Sequence, residues 1–349
     1  MDYRQEYDKW CNDPYFDDQT REELKAIAGD DKEIEDRFYR TLEFGTAGLR
    51  GVIGAGTNRM NIYTVRQATQ GLANYILAQG GQEKGVAIAH DSRLMADEFT
   101  DAAALCLAAN GIKTYVFKSL RPVPELSFAV RTLGCIAGIV ITASHNPAIY
   151  NGIKVFTAGG RDADEIQTKD LEDYIADIAS DGVCAVAYED GKAAGYIEEI
   201  YPLNEYIDNI IASVDMKAIR DADLKVALDP MYGVSETSLK TILLTARCEV
   251  ATIHDRHDTL FGGKLPAPSA ATLHSLQNYV VEKQCDIGIA TDGDADRIGV
   301  IDDKGNFLHP NDILVLLYYY LVKFKGWHGP VVRNIATTHM LDKVAEQFG

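Results

Sequence analysis

The feature that most constrains the fold of this chain is a repeated alternation between short apolar runs and longer amphipathic stretches. In the first cycle, apolar runs at 86–89, 114–117 and 135–141 alternate with helical patterns at 63–77, 97–109 and 125–133. Apolar runs of this length between amphipathic helices are typical of strands buried on both faces of a parallel sheet. The alternation therefore predicts an α/β fold in which helices cover both faces of a mixed, largely parallel sheet.

The alternation repeats and indicates several domains. A second cycle has apolar runs at 224–228, 249–253 and 286–290 and helical patterns at 201–212, 235–244 and 270–283. A third has helical patterns at 312–323 and 340–348 and one apolar run at 331–332, which is too little for an independent domain. We predict consecutive three-layer α/β domains, two complete and one truncated, at 41–190, 191–303 and 304–349. A helical N-terminal extension at 1–40 precedes them, and its acidic runs suggest a solvated surface.

Composition limits the partners of the chain. Its 349 residues are 46% apolar, which is enough for two or three domains with cores of their own. The net charge of −18 argues against binding to nucleic acid or to an anionic membrane, although a small anion can still bind where cations gather. The six cysteines form no C-x-x-C pair, and the longest apolar run, at 313–322, is too short to span a bilayer. With no signal-peptide pattern at the N-terminus, we expect a cytoplasmic protein with reduced thiols.

The run TASHNP at 142–147 follows the apolar run at 135–141. A buried strand here would deliver Ser144 to the carboxyl end of a sheet, where ligands bind in open α/β folds. His145 next to it can carry a proton, and Asn146-Pro147 favours a turn. The alternative is a plain strand exit at which Ser144 and Asn146 satisfy backbone groups. A Ser-His-Asp hydrolase is less favoured, because the G-x-S-x-G pattern is absent.

The run DGDADR at 292–297 places carboxylates at alternate positions, and in an extended loop Asp292, Asp294 and Asp296 can converge on one face. Three carboxylates that lie close together repel one another unless a cation sits among them. A calcium-binding EF-hand needs Gly at the sixth position and Glu at the twelfth, where this chain has Arg297 and Asp303. The strand-like flanks also argue against an EF-hand. The pattern favours a Mg²⁺ site completed by a phosphate oxygen, and a solvated acidic turn is the alternative.

Cationic residues gather in two further segments. The run FGTAGLRG at 44–51, which includes Thr46 and Gly48, joins glycine-rich backbone that can approach a phosphate to Arg50, which can bind one bidentately. Lys154 follows the serine run closely and can point back toward Ser144. An exposed lysine on a strand edge is the alternative for Lys154.

Together, these four segments resemble the α-D-phosphohexomutase family, which includes phosphoglucomutase and phosphomannomutase. The resemblance covers the chain from about Glu43 onward, and the runs at 142–147 and 292–297 are its most specific motifs. The run at 43–61 is most similar to the phosphoglucomutase and phosphopentomutase branch. The run FGGKLP at 261–266, which contains Lys264, lies where the family carries a substrate-side loop and looks more like bacterial phosphoglucomutase/phosphomannomutase sequences. Glucose, mannose and pentose phosphates therefore remain open as substrates.

The resemblance implies roles for these residues. Ser144 would carry a phosphate, and an oxygen of that phosphate would hold Mg²⁺ together with Asp292, Asp294 and Asp296. The other polar residues would serve proton or charge chemistry, as His145, Arg50 and Lys154, or bind phosphate and substrate, as Arg297, Thr46, Gly48, Asn146 and Lys264. The implied reaction interconverts hexose 1-phosphate and hexose 6-phosphate, with glucose as the first choice. It runs through a phosphoserine and a sugar 1,6-bisphosphate that is both intermediate and activator.

The resemblance also implies a missing part. Family members have four domains, and this chain ends at Gly349 inside the third. We therefore expect it to lack the sugar loop and the C-terminal phosphate-binding domain, and to expose apolar surface at 312–323 and 340–348 through which it can associate with another chain. Three hypotheses follow. The first is a phosphohexomutase whose catalytic half is present, either as a fragment with reduced or absent activity or assisted by another chain. The others are a non-catalytic remnant that binds sugar phosphate or metal, and an interaction module that retains the motifs by descent.

Overall fold

A computed structural model of the chain describes residues 2–45, 48–176, 178 and 182–349. The N-terminal segment forms three helices, α1 (Tyr3–Asn12), α2 (Asp18–Ala26) and α3 (Asp31–Phe38). Each begins after an aspartate whose side chain accepts N–H groups of the first turn, which stabilises the helix start. The segment is helical, as its pattern predicts, but it is not merely solvated. Trp10, Phe16 and Phe38 are buried and pack with Tyr63 of the following helix in one aromatic cluster.

The first sheet has six strands within the described ranges, in the order β1-β5-β4-β2-β3-β6. These are β1 (Leu49–Val52), β2 (Val86–His90), β3 (Thr114–Phe117), β4 (Ala137–Ile141), β5 (Tyr150–Thr157) and β6 (Ile197–Ile200). The β2–β3, β2–β4 and β3–β6 pairs are parallel, whereas β5 is antiparallel to both of its neighbours. The accompanying helices are α4 (Ile62–Ala78), α5 (Ala96–Ala109), α6 (Val123–Thr132), α7 (Glu165–Ala176) and α8 (Tyr188–Ala193). The mixed, largely parallel α/β architecture is confirmed.

Strand β4 explains why the serine run reaches the edge of the sheet. All five of its residues are buried. Ile139 and Ile141 pack in the core cluster that contains α4 and α5, whereas Val140 packs in the cluster of α6 on the opposite face. A strand that is covered on both faces reads as a continuous apolar run, and its carboxyl end opens directly into residues 142–147.

The first sheet extends further along the chain than predicted. Strand β6 pairs in parallel with β3, so the boundary placed at 190/191 separates one strand from its own sheet. The sequence of β6, Ile-Glu-Glu-Ile, mixes apolar and acidic residues, because an edge strand is covered incompletely. The predicted boundaries at 40/41 and 303/304 stay predictions.

The second sheet has five strands within the described ranges, in the order β11-β10-β9-β7-β8. Helices α9 (Leu203–Ser213) and α10 (Met216–Asp221) lead into it. Its elements are β7 (Lys225–Asp229), α11 (Glu236–Thr245), β8 (Glu249–Thr252), α12 (His274–Lys283), β9 (Ile287–Thr291), β10 (Ile298–Asp302) and β11 (Phe307–Leu308). Strands β7, β8 and β9 are parallel, and β10 returns antiparallel to β9. The turn between β9 and β10 carries the aspartate run.

The C-terminal segment consists of helices α13 (Pro310–Lys323) and α14 (Met340–Phe348), which pack against each other. The strand predicted at 331–332 is wrong. Val332 is 92% exposed, and no strand in the described part of the chain pairs with these two residues to receive their backbone hydrogen bonds. The exposed apolar surface is confirmed, since Leu316 and Leu317 in the first predicted range and Met340 in the second are each more than half exposed. Association through this surface stays a prediction. None of the helices in the described ranges combines the length and apolarity needed to cross a bilayer.

Candidate active site

The serine loop, residues 142–150, leaves β4 in a conformation that its surroundings must hold. Ser144 is fully buried and adopts a left-handed backbone conformation with φ of 55°. This conformation costs a residue other than glycine about 1–2 kcal/mol. The Ser144 N–H donates to Thr142 Oγ1 at 2.8 Å, and the Asn146 N–H donates to the Ala143 carbonyl at 3.0 Å. The loop thus fixes the serine backbone locally.

The aspartate loop, residues 291–297, connects β9 to β10 and brings its three carboxylates together. One oxygen from each of Asp292, Asp294 and Asp296 lies within 4.8 Å of the others. Asp292 and Asp294 are buried, whereas the side chain of Asp296 is 30% exposed. Asp292 Oδ1 accepts the N–H groups of Asp296 at 3.1 Å and Arg297 at 3.0 Å, which shapes the loop around that carboxylate.

The two loops meet although they belong to different sheets. Ser144 Oγ lies 3.4 Å from Asp292 Oδ2, and Thr142 Oγ1 lies 3.1 Å from Asp294 Oδ2. The Val123 N–H, at the start of α6, donates to the Asp294 carbonyl at 3.0 Å. The structure therefore brings the serine hydroxyl and the acidic cluster into one site at the carboxyl edges of both sheets.

Three predicted cations border this site. Lys154 on β5 is nearly buried, and its Nζ lies 3.1 Å from Oδ2 of both Asp294 and Asp296. Arg50 on β1 donates from Nη1 to Asn146 Oδ1 at 3.0 Å, and its buried Nε has no hydrogen-bond partner among the described residues. Arg297 is half exposed, and its Nε lies 3.8 Å from Asp292 Oδ2. Arg50 and Arg297 thus leave donor capacity for a ligand.

The electrostatics of the site follow from burial and from the crowding of carboxylates. Burial, reinforced by Asp294 and Asp296, raises the pKa of Asp292 to about 8. Burial acts to lower the pKa of Lys154, but Asp294 and Asp296 outweigh it and raise that pKa, so the ammonium stays charged. Burial, followed by Arg297 and Arg50, lowers the pKa of His145, whose Nδ1 lies 3.3 Å from Ser144 Oγ. A neutral imidazole therefore stands beside the hydroxyl at neutral pH.

The acidic cluster fits a hard divalent cation. Asp294 Oδ1 is buried and has no hydrogen-bond partner in the described part of the chain, so its lone pairs are free to bind a cation. Burying such an acceptor is costly unless something binds it. Mg²⁺ takes oxygen ligands, commonly one or two carboxylates together with phosphate oxygens and water. The donor set of Asp292, Asp294 and Asp296 matches that preference.

The remaining predicted residues lie apart or stay untested. Lys264 donates to Ser275 Oγ at 3.5 Å and lines a small cavity with Asp229 and His254 in the second domain. Gly48 has φ of 81°, and a side chain there would begin 2.3 Å from the Ile153 carbonyl oxygen, so glycine is required beside β5. Thr46 lies outside the described residues. Phosphate or substrate binding by these three residues stays a prediction.

Sequence reasoning missed residues that support the site from other elements. Arg93, which follows β2, donates to the carbonyls of Ser144 and Asn146, and Asp91 accepts a hydrogen bond from Thr142. The ring of Phe261, from the second domain, packs beneath the Arg93 guanidinium. The signal for two of them was present, because the run DSR at 91–93 follows a buried strand as the serine run does. Phe261 begins the FGGKLP run, but nothing in that run indicates that its ring packs against Arg93.

Comparison with known proteins supports this fold and identifies the family. The model of phosphoglucomutase/phosphomannomutase alpha/beta/alpha domain I matches residues 41–181, and that of domain II matches residues 204–305. A phosphoglucomutase of Staphylococcus saprophyticus is 32% identical over 319 residues, which are 87% of this chain and 55% of that protein. A probable phosphoglucosamine mutase of Methanobrevibacter smithii is 31% identical, covering 86% of this chain and 62% of that protein.

A solved structure shows the same architecture. The crystal structure of a putative phosphomannomutase from Thermus thermophilus matches with a TM-score of 0.78 and 31% identity, covering 89% of this chain and 68% of that one. The chain therefore belongs to the phosphoglucomutase/phosphomannomutase family of α-D-phosphohexomutases. It spans 55% and 62% of the lengths of the two curated relatives described above.

Proposed function

We propose that this chain performs phosphoryl transfer through a phosphoserine at Ser144 and thereby interconverts hexose 1-phosphate and hexose 6-phosphate. One observation carries the proposal: the buried Ser144 hydroxyl lies 3.4 Å from Asp292 Oδ2, within a cluster of three carboxylates. A structural turn has no need to gather three carboxylates, two of them buried, beside a buried hydroxyl. A metal-assisted phosphoserine site does.

Mg²⁺ would be held by Asp292, Asp294, Asp296 and a phosphate oxygen on Ser144. A phosphoserine carries a charge of about −1.5 to −2 at neutral pH, which three neighbouring carboxylates alone would repel. When bound, the metal neutralises this charge and polarises the transferring group.

The side chains of the site then divide the work of transfer. A sugar hydroxyl attacks the phosphorus, the bond from phosphorus to Ser144 Oγ breaks, and the phosphate leaves on the sugar. His145, 3.3 Å from Ser144 Oγ, takes up the proton of the attacking hydroxyl and returns it to the serine oxygen. Lys154 remains charged, and Arg50 and Arg297 donate hydrogen bonds to the phosphate oxygens. These three cations therefore stabilise the negative charge on the transferring phosphate. The other phosphate of the sugar 1,6-bisphosphate returns to Ser144 in the reverse sense.

Glucose is the proposed sugar, since phosphoglucomutases are among the relatives. Mannose and glucosamine phosphates are the competing substrates that the names of other relatives suggest, and pentose phosphate remains the alternative from the sequence. Because the chain spans little more than half of the first of these relatives, phosphoserine formation and isomerisation are best measured separately.

The test incubates the chain with Mg²⁺, glucose 1-phosphate and a trace of glucose 1,6-bisphosphate. Glucose 6-phosphate is followed by a coupled dehydrogenase, and the phosphate on Ser144 by mass spectrometry. Product formation supports the full proposal, whereas labelling of Ser144 without product limits it to the half-reaction. A chain that shows neither, at any of the sugar phosphates named above, contradicts the proposal. The variant Ser213→Ala, at an exposed helix end, is the matched control for Ser144→Ala.

A further inference from the structure

Arg93 is placed to hold the serine loop in a single conformation. Its side chain is completely buried, and all five of its N–H donors are matched. Nε donates to Asp91 Oδ2 at 3.1 Å, and Nη1 donates to the carbonyls of Pro147 and Tyr150, each at 2.9 Å. Nη2 donates to the carbonyls of Ser144 and Asn146, each at 2.7 Å. One guanidinium thus binds four carbonyl groups of one short loop.

The Arg93 guanidinium is also connected, through Asp91, to Thr142, which binds the Ser144 N–H. Asp91 accepts from Arg93 through Oδ2, and it accepts the Thr142 hydroxyl at the same atom at 2.6 Å. Thr142 Oγ1 in turn accepts the Ser144 N–H. The backbone of Ser144 is therefore held on both sides, its N–H by Thr142 and its carbonyl by Arg93, and Asp91 fixes the distance between the two supports.

Residues of the second domain pack against the Arg93 guanidinium and the Ser144 carbonyl. The Phe261 ring centroid lies 4.9 Å from the Arg93 guanidinium carbon. A side-chain carbon placed on Gly293 would lie 3.2 Å from both the Phe261 ring and the Ser144 carbonyl oxygen, so the aspartate loop also packs against these groups. An aromatic face beneath a desolvated guanidinium is attractive and keeps water away from the hydrogen bonds.

We infer that Arg93 is a positioning residue for phosphoryl transfer: it holds Ser144 Oγ toward the acidic cluster by binding the loop carbonyls, and it touches neither substrate nor metal. The inference rests on the proposed function. A left-handed serine does not keep this backbone conformation unaided, and a displacement of about 1 Å at a reacting atom can reduce the rate about 10²-fold. Lysine cannot replace the arginine guanidinium here, because the three donors of lysine radiate from one nitrogen and cannot reach all of these acceptors.

The test compares Arg93→Lys with Arg131→Lys, a matched change at an exposed helix position that donates to a single carbonyl. Four quantities are measured: Mn²⁺ affinity, the rate of phosphate incorporation at Ser144, and kcat and KM for the sugar phosphate. We expect Arg93→Lys to lower phosphate incorporation and kcat about 10²-fold, with KM and Mn²⁺ affinity within about threefold of the wild type. Arg131→Lys should match the wild type in all of them.

The outcomes separate this inference from the proposed function. A folded Arg93→Lys variant with wild-type kcat overturns the inference and leaves the function intact. A wild type that never labels Ser144 overturns both. If Arg93→Lys does not fold, Phe261→Leu decides, since it keeps the five hydrogen bonds and removes only the ring beneath them. A several-fold lower kcat at unchanged Mn²⁺ affinity supports positioning, whereas a kcat equal to that of the wild type overturns it.

Discussion

The serine loop and the aspartate loop meet in one site but are stabilised in different ways. The serine loop depends on distant residues, because Arg93 and Asp91 from the end of β2 bind its carbonyls and Thr142. The aspartate loop largely supports itself, since it is the turn of the β9–β10 hairpin and Asp292 accepts two N–H groups from residues four and five positions later.

Because of this difference, substitutions in the two loops should have different effects. Changes in the self-supporting aspartate loop should alter the charge that the site holds and leave its backbone in place. Changes around the serine loop should alter where the hydroxyl lies and leave the charge unchanged. The four variants below test that division, from the largest expected effect to the smallest.

Ser144→Ala should have the largest effect. Without the hydroxyl there is no acceptor for the phosphate, so turnover should fall on the order of 10⁴-fold or more, while the free energy of unfolding changes by about 1 kcal/mol. Sugar phosphate turnover and urea unfolding measure the two quantities. Full turnover by this variant would remove the serine from the mechanism, however well the loop is held.

Asp294→Asn should reduce metal-dependent turnover about 10²-fold and raise the Mg²⁺ concentration needed for half-maximal rate. The substitution keeps the shape of the side chain but removes the negative charge that faces the cluster. Titration of the rate with Mg²⁺ measures the effect, and Asp303→Asn, an acidic residue just beyond β10, is the control. An unaltered metal requirement would place the metal elsewhere.

Lys154→Met should destabilise the metal-free protein by about 2–4 kcal/mol, because Asp294 and Asp296 lose the cation between them. Mg²⁺ binds the folded state and should restore more stability to this variant than to the wild type. Thermal unfolding with and without Mg²⁺ gives the comparison, with Lys118→Met, at a half-exposed ion pair, as the control. Equal gains from Mg²⁺ in wild type and variant would show that Lys154 and the metal do not share these carboxylates.

Glu125→Gln tests the support that α6 gives to the aspartate loop and should have the smallest effect. Burial raises the pKa of Glu125 to about 7, although Arg121 lowers it in part. The folded state therefore binds this proton more tightly than the unfolded state, and the wild type loses stability as the pH rises from the ordinary glutamate range through 7. The variant should be more stable at pH 8 by on the order of 2 kcal/mol, with the gain vanishing near pH 4.

Urea unfolding across this pH range measures the gain, and Glu205→Gln, an exposed residue on α9, is its control. Turnover should stay within about threefold of the wild type, because the Val123 N–H that holds Asp294 lies on the backbone. A pH-independent difference between Glu125→Gln and wild type would contradict the assignment of a protonated, buried carboxyl.

The sequence predicted those parts of the fold that burial encodes locally. Strands β2 and β4 are covered on both faces and read as continuous apolar runs, and β7 was located for the same reason. Strand β6 was missed because an edge strand carries acidic residues. Residues 331–332 are the opposite case: two adjacent valines predicted a strand, but without a neighbouring strand to pair with they do not form one.

The site likewise has features that a local sequence pattern predicted and features that it did not. Asp292, Asp294 and Asp296 converge through a hairpin turn, so their spacing alone indicated the cluster. The encounter of that cluster with Ser144 was anticipated from the family resemblance. The support by Arg93 and Phe261 was not predicted. The run DSR follows a buried strand and marks Arg93 as a loop residue, but no local pattern records the contacts between loops of two sheets.

One measurement tests most directly whether the serine and the three carboxylates share a single divalent ion. The chain is phosphorylated at Ser144, confirmed by mass spectrometry, and loaded with Mn²⁺ in place of Mg²⁺. Electron–nuclear double resonance then detects any phosphorus nucleus bound through oxygen to the metal. We expect a phosphorus coupling that disappears in Ser144→Ala and weakens in Asp294→Asn. Mn²⁺ bound to the phosphorylated chain without any phosphorus coupling would contradict the shared site.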